Sequence, residues 1–136
     1  MQTVTMKCIM AHKILIVEDD VDDQILFVEA ITSIDSSYNC VAVGNGMEGL
    51  EHLTNTNTLP SLVLLDLNMP LMNGYEFLEK VKRDIYFKDI PIVVFSTSNA
   101  VNDMVKTTSL GAVRFFTKPK SVSELKVKLI EILFCV

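Results

Sequence analysis

Five short apolar runs punctuate the chain, and apolar positions at helical spacing fill the stretches between them. The runs are Lys13 to Val17, Asn39 to Val43, Ser61 to Asp66, Pro91 to Ser96 and Val113 to Thr117. Three of them, KILIV, SLVLLD and PIVVFS, are almost continuously apolar, as strands are when helices cover both faces of a parallel sheet. Between the runs, Ile25, Val28 and Ile31 predict a first helix behind Asp22 and Asp23, whose carboxylates suit a helix N-terminus. Met47, Leu50 and Leu53 predict a second helix, and Tyr75, Leu78 and Val81 a third starting after Gly74. Met104, Val105 and Thr108 predict a fourth ending near Gly111. The fifth opens on a capping box of Ser121 and Glu124, and Leu125, Leu129, Ile132 and Leu133 follow at i, i+4, i+7 and i+8.

Strand and helix thus alternate five times. The expected fold class is α/β: a (βα)5 doubly wound five-stranded parallel sheet, because right-handed crossovers send helices to both faces. With 136 residues, 49% of them hydrophobic and 21% charged, the chain has the length of one domain with a single core. Residues 1–11 read as an N-terminal extension, with Met10 resembling a start of its own, and residues 12–136 as the domain. The 12 basic residues against 17 acidic ones, net charge −5, include no basic run, so nucleic acid is not an expected partner. Cys8, Cys40 and Cys135 are widely spaced and outside any CxxC pattern, which predicts reduced thiols. The apolar runs are too short to span a bilayer and no secretory leader is visible, so no membrane contact and a cytoplasmic location are expected.

In doubly wound sheets, sites form beyond the carboxyl ends of the strands. Here the first strand runs into Glu18, Asp19 and Asp20, the third ends at Asp66, the fourth at Ser96, and the fifth at Thr117 and Lys118 with Pro119 behind. Carboxylates gathered this way repel one another unless a cation sits among them. Oxygen-only ligands select a hard divalent ion, and a site with few carboxylates fits Mg2+. Lys118 adds a second positive charge suited to gripping an anion. A carboxylate beside Mg2+ can attack phosphorus and become an acyl phosphate, the part assigned to Asp66, with Ser96 donating a hydrogen bond to the phosphoryl group. A calcium-binding loop opening at Asp20 would need Gly sixth and Glu twelfth, but those residues are Ile25 and Ile31, which rejects it. Asp22 and Asp23 read as helix charges, Asp20 as peripheral, and His12 and His52 as surface residues.

Four segments, VEDD at 17–20, LLDLNMPLMNG at 64–74, VVFSTS at 93–98 and FFTKP at 115–119, together resemble the signature segments of the response-regulator receiver domain of two-component signalling. The resemblance covers residues 12 to 135 and implies the flavodoxin-like receiver fold. It implies that Asp66 is the phosphoacceptor and Asp19 the direct Mg2+ ligand, with Glu18 helping through water and the Asn68 carbonyl completing the protein's metal ligands. Lys118 would pair with the phosphoryl group, and Pro119 would follow a cis peptide bond. Ser96 and Phe115 would form a switch pair, the hydroxyl moving toward the phosphoryl oxygen as the ring turns inward. Three departures stand out. Ser96 and Phe115 occupy positions where many members carry Thr and Tyr, so a phenol that could bond outward is missing. Thr97 replaces the smaller Ala or Gly, which narrows access. Asn68 and Ser98 occupy the positions that tune the lifetime of the acyl phosphate.

The function implied is that of a stand-alone, phosphorylation-activated switch. A histidine kinase or histidine phosphotransfer protein would supply the phosphoryl group. The switch would then bind a downstream protein through the face of the fourth helix, fifth strand and fifth helix, or relay the phosphate. The chain ends directly after the fifth helix, so no output domain is expected, and no enzyme activity beyond its own phosphorylation and dephosphorylation. The alternatives are a Mg2+-dependent phosphatase with an Asp nucleophile, which would need a second acid where Asn68 stands, and a phosphorylation-independent interaction module. The joint presence of Asp19, Asp66, Ser96 and Lys118 argues against the latter.

Overall fold

A computed structural model describes residues 13–97 and 100–134. The expected N-terminal extension, Cys8, His12, Ser98 and Cys135 lie outside those residues; Cys40 is a free thiol. Five strands, β1 (Lys13–Val17), β2 (Asn39–Val43), β3 (Leu62–Asp66), β4 (Ile92–Ser96) and β5 (Arg114–Thr117), alternate with five helices. These are α1 (Val21–Ile34), α2 (Gly46–Asn55), α3 (Gly74–Arg83), α4 (Val101–Ser109) and α5 (Val122–Leu133). All strand pairs are parallel and the order is β2-β1-β3-β4-β5. The predicted (βα)5 doubly wound sheet is therefore present, with β3, β4 and β5 each starting one residue later than the pattern suggested.

Alternate residues along each strand feed two separate cores. Ile14, Ile16, Leu62, Leu64, Val93, Phe95 and Phe116 pack with the buried faces of α1 and α5. On the other side, Leu15, Val17, Val63, Leu65, Ile92 and Val94 pack with Leu53 of α2 and with Phe77, Leu78 and Val81 of α3. Strands apolar on both faces follow directly. Among the described residues no helix is long and apolar enough to cross a membrane.

The helices form where expected, but some bury different residues. In α1 the inward stripe is Phe27, Ala30 and Ile31 while Ile25 is exposed, and in α2 Leu53 is buried while Met47 is exposed. Residues six apart on a helix point about 120° away from each other, so a run spaced by threes drifts off any single face. The fourth helix departs further: Met104 and Val105 are exposed and its buried residue is Thr107.

Candidate functional site

The chain leaves β1 toward β2 on one side and returns to β3 on the other, so the carboxyl ends of β1 and β3 flank the switch point of the sheet, where crevices open. Glu18 directly follows β1, its backbone N–H tied to the Val43 carbonyl at 3.0 Å, and it is 1% exposed. Asp19, next along, is exposed. Asp66 is the last residue of β3 and is 6% exposed. One carboxylate oxygen from each of Glu18, Asp19 and Asp66 lies within 4.8 Å of the others.

The position of Asp66 is fixed by α3. Gly74, the first residue of that helix, donates its N–H to the Leu67 carbonyl at 2.9 Å. A Cβ at Gly74 would run into the Asp66 carbonyl oxygen and stand 2.7 Å from Leu67 Cα, so only glycine lets the helix start this close to the backbone of Asp66. Asn73 and Glu76 complete a reciprocal capping box at the same place. At α5, Ser121 caps by accepting from the Glu124 N–H at 3.1 Å.

Lys118 follows β5, with its backbone N–H bonded to the Ser96 carbonyl at 2.7 Å. Its ammonium lies 2.6 Å from Glu18 Oε1, 2.9 Å from Asp23 Oδ2 and 3.8 Å from Asp66 Oδ1. The contact with Glu18 Oε1 is the shortest of the three and pairs two largely buried opposite charges. Glu18 also accepts the Asp20 N–H at 3.1 Å. Asp20 itself turns away: its carboxylate caps α1 by accepting the N–H groups of Asp22 and Asp23 at 2.8 and 3.2 Å.

The electrostatics follow from burial and crowding. Burial pushes the Glu18 carboxyl up to about 7; Lys118 opposes the rise and Asp66 adds to it. Burial also raises Asp66, against the pull of Lys118 and of the Asn68 N–H bonded to its carboxylate, while nearby Asp19 raises it further. For Lys118 burial alone would lower the pKa, but Glu18, Asp23 and Asp66 more than offset this and raise it. Several acids thus share one ammonium. The site therefore has more hard oxygen donors than its one ammonium can satisfy. A divalent cation fits such a donor set.

Ser96 ends β4 and is 0% exposed. In the β4–β5 register, Val94 is opposite Phe115 and Ser96 opposite Thr117. Side chains two residues apart share a face, so Ser96 and Phe115 are diagonal neighbours on the side of α2 and α3. Phe115 is half-buried against that core, and Phe116 points the opposite way, stacked on Phe95 with centroids 5.4 Å apart. Thr97 is exposed.

Two expectations change. The peptide bond into Pro119 is trans, not cis, since no cis peptide occurs among the described residues. X–Pro amides favour trans by about 0.5–1 kcal/mol, and the trans chain already lets Lys118 bond Ser96 and reach the acids. Asp23 is also more than a helix charge, because it is one of the two short-range partners of Lys118. What could have found it is its place in the first turn after the strand-end acids, where the helix folds back over the rim.

Residues 14–130 match the family described as the response regulator receiver domain. The two-component response regulator ARR17 of Arabidopsis thaliana is 33% identical over 132 residues, covering 90% of this chain and 85% of that one. The phosphorylated cyanobacterial phytochrome response regulator RcpA superposes with a TM-score of 0.84 at 32% identity, over 93% of this chain and 96% of that chain. A Mn2+-bound form of response regulator Rcp1 does so with a TM-score of 0.78 at 29% identity, over 88% and 91%. Other curated relatives are longer, and the chain spans between 10% and 50% of the length of several of them. Fold, ordered motifs and site agree with these matches, and the chain belongs to the response regulator receiver domain family.

Proposed function

We propose that Asp66 accepts a phosphoryl group from a histidine kinase or histidine phosphotransfer protein, and that the resulting acyl phosphate switches the surface read by a downstream protein. The observation that carries this reading is a buried carboxylate at the switch point of the sheet with an ammonium 3.8 Å away and two further carboxylates beside it.

An Asp66 oxygen attacks phosphorus; the O–P bond forms as the N–P bond to the donor imidazole breaks, and the imidazole leaves with the electron pair. Glu18, Asp19, Asp66 and the Asn68 carbonyl would hold Mg2+. When bound, that ion neutralises the carboxylates and the charge on the phosphoryl oxygens. Lys118 contributes a permanent positive charge to the new phosphoryl group, and the Ser96 hydroxyl donates a hydrogen bond to it. The space the hydroxyl vacates admits the Phe115 ring. Phe115 belongs to β5; of the two helices that flank that strand in sequence, α4 exposes Val101, Met104 and Val105 and α5 exposes Val127 and Ile130. This apolar α4–β5–α5 face is the surface we assign to the downstream partner.

Incubation with Mg2+ and acetyl phosphate should add one acid-stable, hydroxylamine-labile phosphate to the wild type and none to Asp66→Asn. Continued labelling of that variant would overturn the assignment. The phosphatase alternative has no support in the site: the residue two after Asp66 is Asn68, an amide that cannot serve as general acid.

A further inference from the structure

Lys118 has a partner that phosphoryl transfer does not require. Asp23 comes from the first turn of α1 rather than from a strand end, and it meets Lys118 across 95 residues of sequence. Its carboxylate is 2.9 Å from the ammonium and Glu18 is 2.6 Å away, whereas the nearest Asp66 oxygen lies at 3.8 Å, beyond hydrogen-bond range. An ammonium has three donors. Glu18 and Asp23 hold it at the side of α1, and with a side chain only 14% exposed it has little room to choose other partners. Asp23 is 32% exposed, so water can replace the lysine there far more readily than at Glu18.

We infer that Asp23 is a positioning residue that holds the Lys118 ammonium back toward α1, so that forming the phosphorylated state requires this contact to weaken. The inference rests on the reading of Asp66 as phosphoacceptor. A contact made more strongly before phosphorylation than after it opposes the phosphorylated state by the difference. Asp23 therefore sets how readily the switch is thrown without touching the phosphoryl group itself.

Asp22 supplies an internal control. It carries the same charge in the same turn of α1, and the ion pairs of Lys118 among the described residues are with Glu18, Asp23 and Asp66. Removing either acid loses the same interaction with the helix end and the same long-range repulsion of an anion, but only Asp23 holds the lysine.

The test is calorimetric binding of beryllofluoride, an acyl-phosphate analogue, in the presence of Mg2+, with thermal melts confirming that each variant is folded. Asp23→Asn should bind about two- to fivefold more tightly than wild type, the range of a partly exposed ion pair. Asp22→Asn should change binding by less than half as much, and Asp23→Glu, which keeps the anion, should return affinity to near wild type. Equal effects at Asp22 and Asp23, weaker binding in Asp23→Asn, or Asp23→Glu behaving like Asp23→Asn would each overturn the inference. Failure of the parent reading is distinct: wild-type protein would then neither bind beryllofluoride nor take phosphate from acetyl phosphate.

Discussion

Helices α3 and α4 are neighbours in sequence around β4, yet they are held in opposite ways. The N-terminus of α3 is closed by a reciprocal capping box, its start is seated on the Asp66–Leu67 backbone, and Phe77, Leu78 and Val81 are buried beneath it. Its last turn carries Lys80, Lys82 and Arg83, favourable at the negative end of the helix dipole. In α4 the N-cap position is Ala100, whose side chain can make no capping bond, the helix opens on Val101 at 68% exposure, and the buried residue is Thr107. Sparse burial and an N-cap residue without a side-chain oxygen place α4 at the low-stability end of the domain. The proposed phosphoacceptor, Asp66, thus sits on rigid backbone, while the helix that follows Ser96 is more loosely held.

The sharpest way to break this contrast is Gly74→Ala. The new methyl would meet backbone atoms rather than a flexible side chain, so the cost should approach the upper end of overpacking, about 3 kcal/mol, less up to about 1 kcal/mol for the better helix propensity of Ala. Urea denaturation should show a large fall in midpoint, and labelling by acetyl phosphate should fall with it because Asp66 is displaced. The matching change on α4, Val105→Ala, should move stability by no more than about 0.5 kcal/mol, as at other exposed positions. Comparable losses at both sites would erase the difference between the helices.

Next in size is the response of the rigid half to pH. The Glu18 carboxyl sits at about 7 against an ordinary 4.5. A carboxyl raised on folding contributes stability that is complete below about 4.5 and lost as pH rises through about 7, because the folded state binds the extra proton. A divalent cation competes with that proton. Millimolar Mg2+ should therefore raise the Tm more at pH 8 than at pH 6, by an amount equivalent to about 1.4 kcal/mol at roughly tenfold saturation. Glu18→Gln should flatten the dependence; identical Mg2+ shifts at both pH values in the wild type would contradict it.

How much of this could be read beforehand divides along the same line. Apolar runs such as SLVLLD announce strands because burial on two faces leaves no polar alternative, and in a doubly wound sheet their last residues must share a rim. Glu18, Asp19, Asp66, Ser96 and Lys118 were legible for that reason. The partners of side chains were not. Asp23 resembles any first-turn acid until the ammonium of Lys118 is seen beside it, and Asp20 resembles a site acid until its carboxylate is seen capping α1. The exposure of Met104 and Val105 was hidden too, because a helix that presents apolar residues outward has the same spacing as one that buries them.

An effect of similar size concerns the side chains that tether the two helices. The Tyr75 hydroxyl, on the first turn of α3, donates to the Asp103 carboxylate on α4, and Lys106 of α4 lies 4.2 Å from the centre of the same ring. Burial and the bond to Asp103 push the phenol up to about 12. The stability this bond brings is complete below about 10 and lost as pH rises through about 12, so ultraviolet titration should show one tyrosine ionising late. Tyr75→Phe should cost about 1–2 kcal/mol, between the values for neutral and charged hydrogen bonds. Amide exchange should accelerate throughout α4 and not in α3. Acceleration shared equally by both helices would mean the tether is not what holds α4.

The smallest effect runs the other way and tightens α4. Ala100→Ser would place a hydroxyl oxygen at the N-cap position, where alanine has none, within reach of the N–H groups of the first turn. Capping of this kind is worth about 0.5–1 kcal/mol, read as slower amide exchange from Val101 to Met104 with little change in global Tm. If α4 must shift when Asp66 is phosphorylated, a helix stabilised in its resting place should also weaken beryllofluoride binding, by about two- to fivefold for that same energy. A variant whose α4 exchanges more slowly but binds the analogue as well as wild type would show that the loosely held helix is not the element that moves.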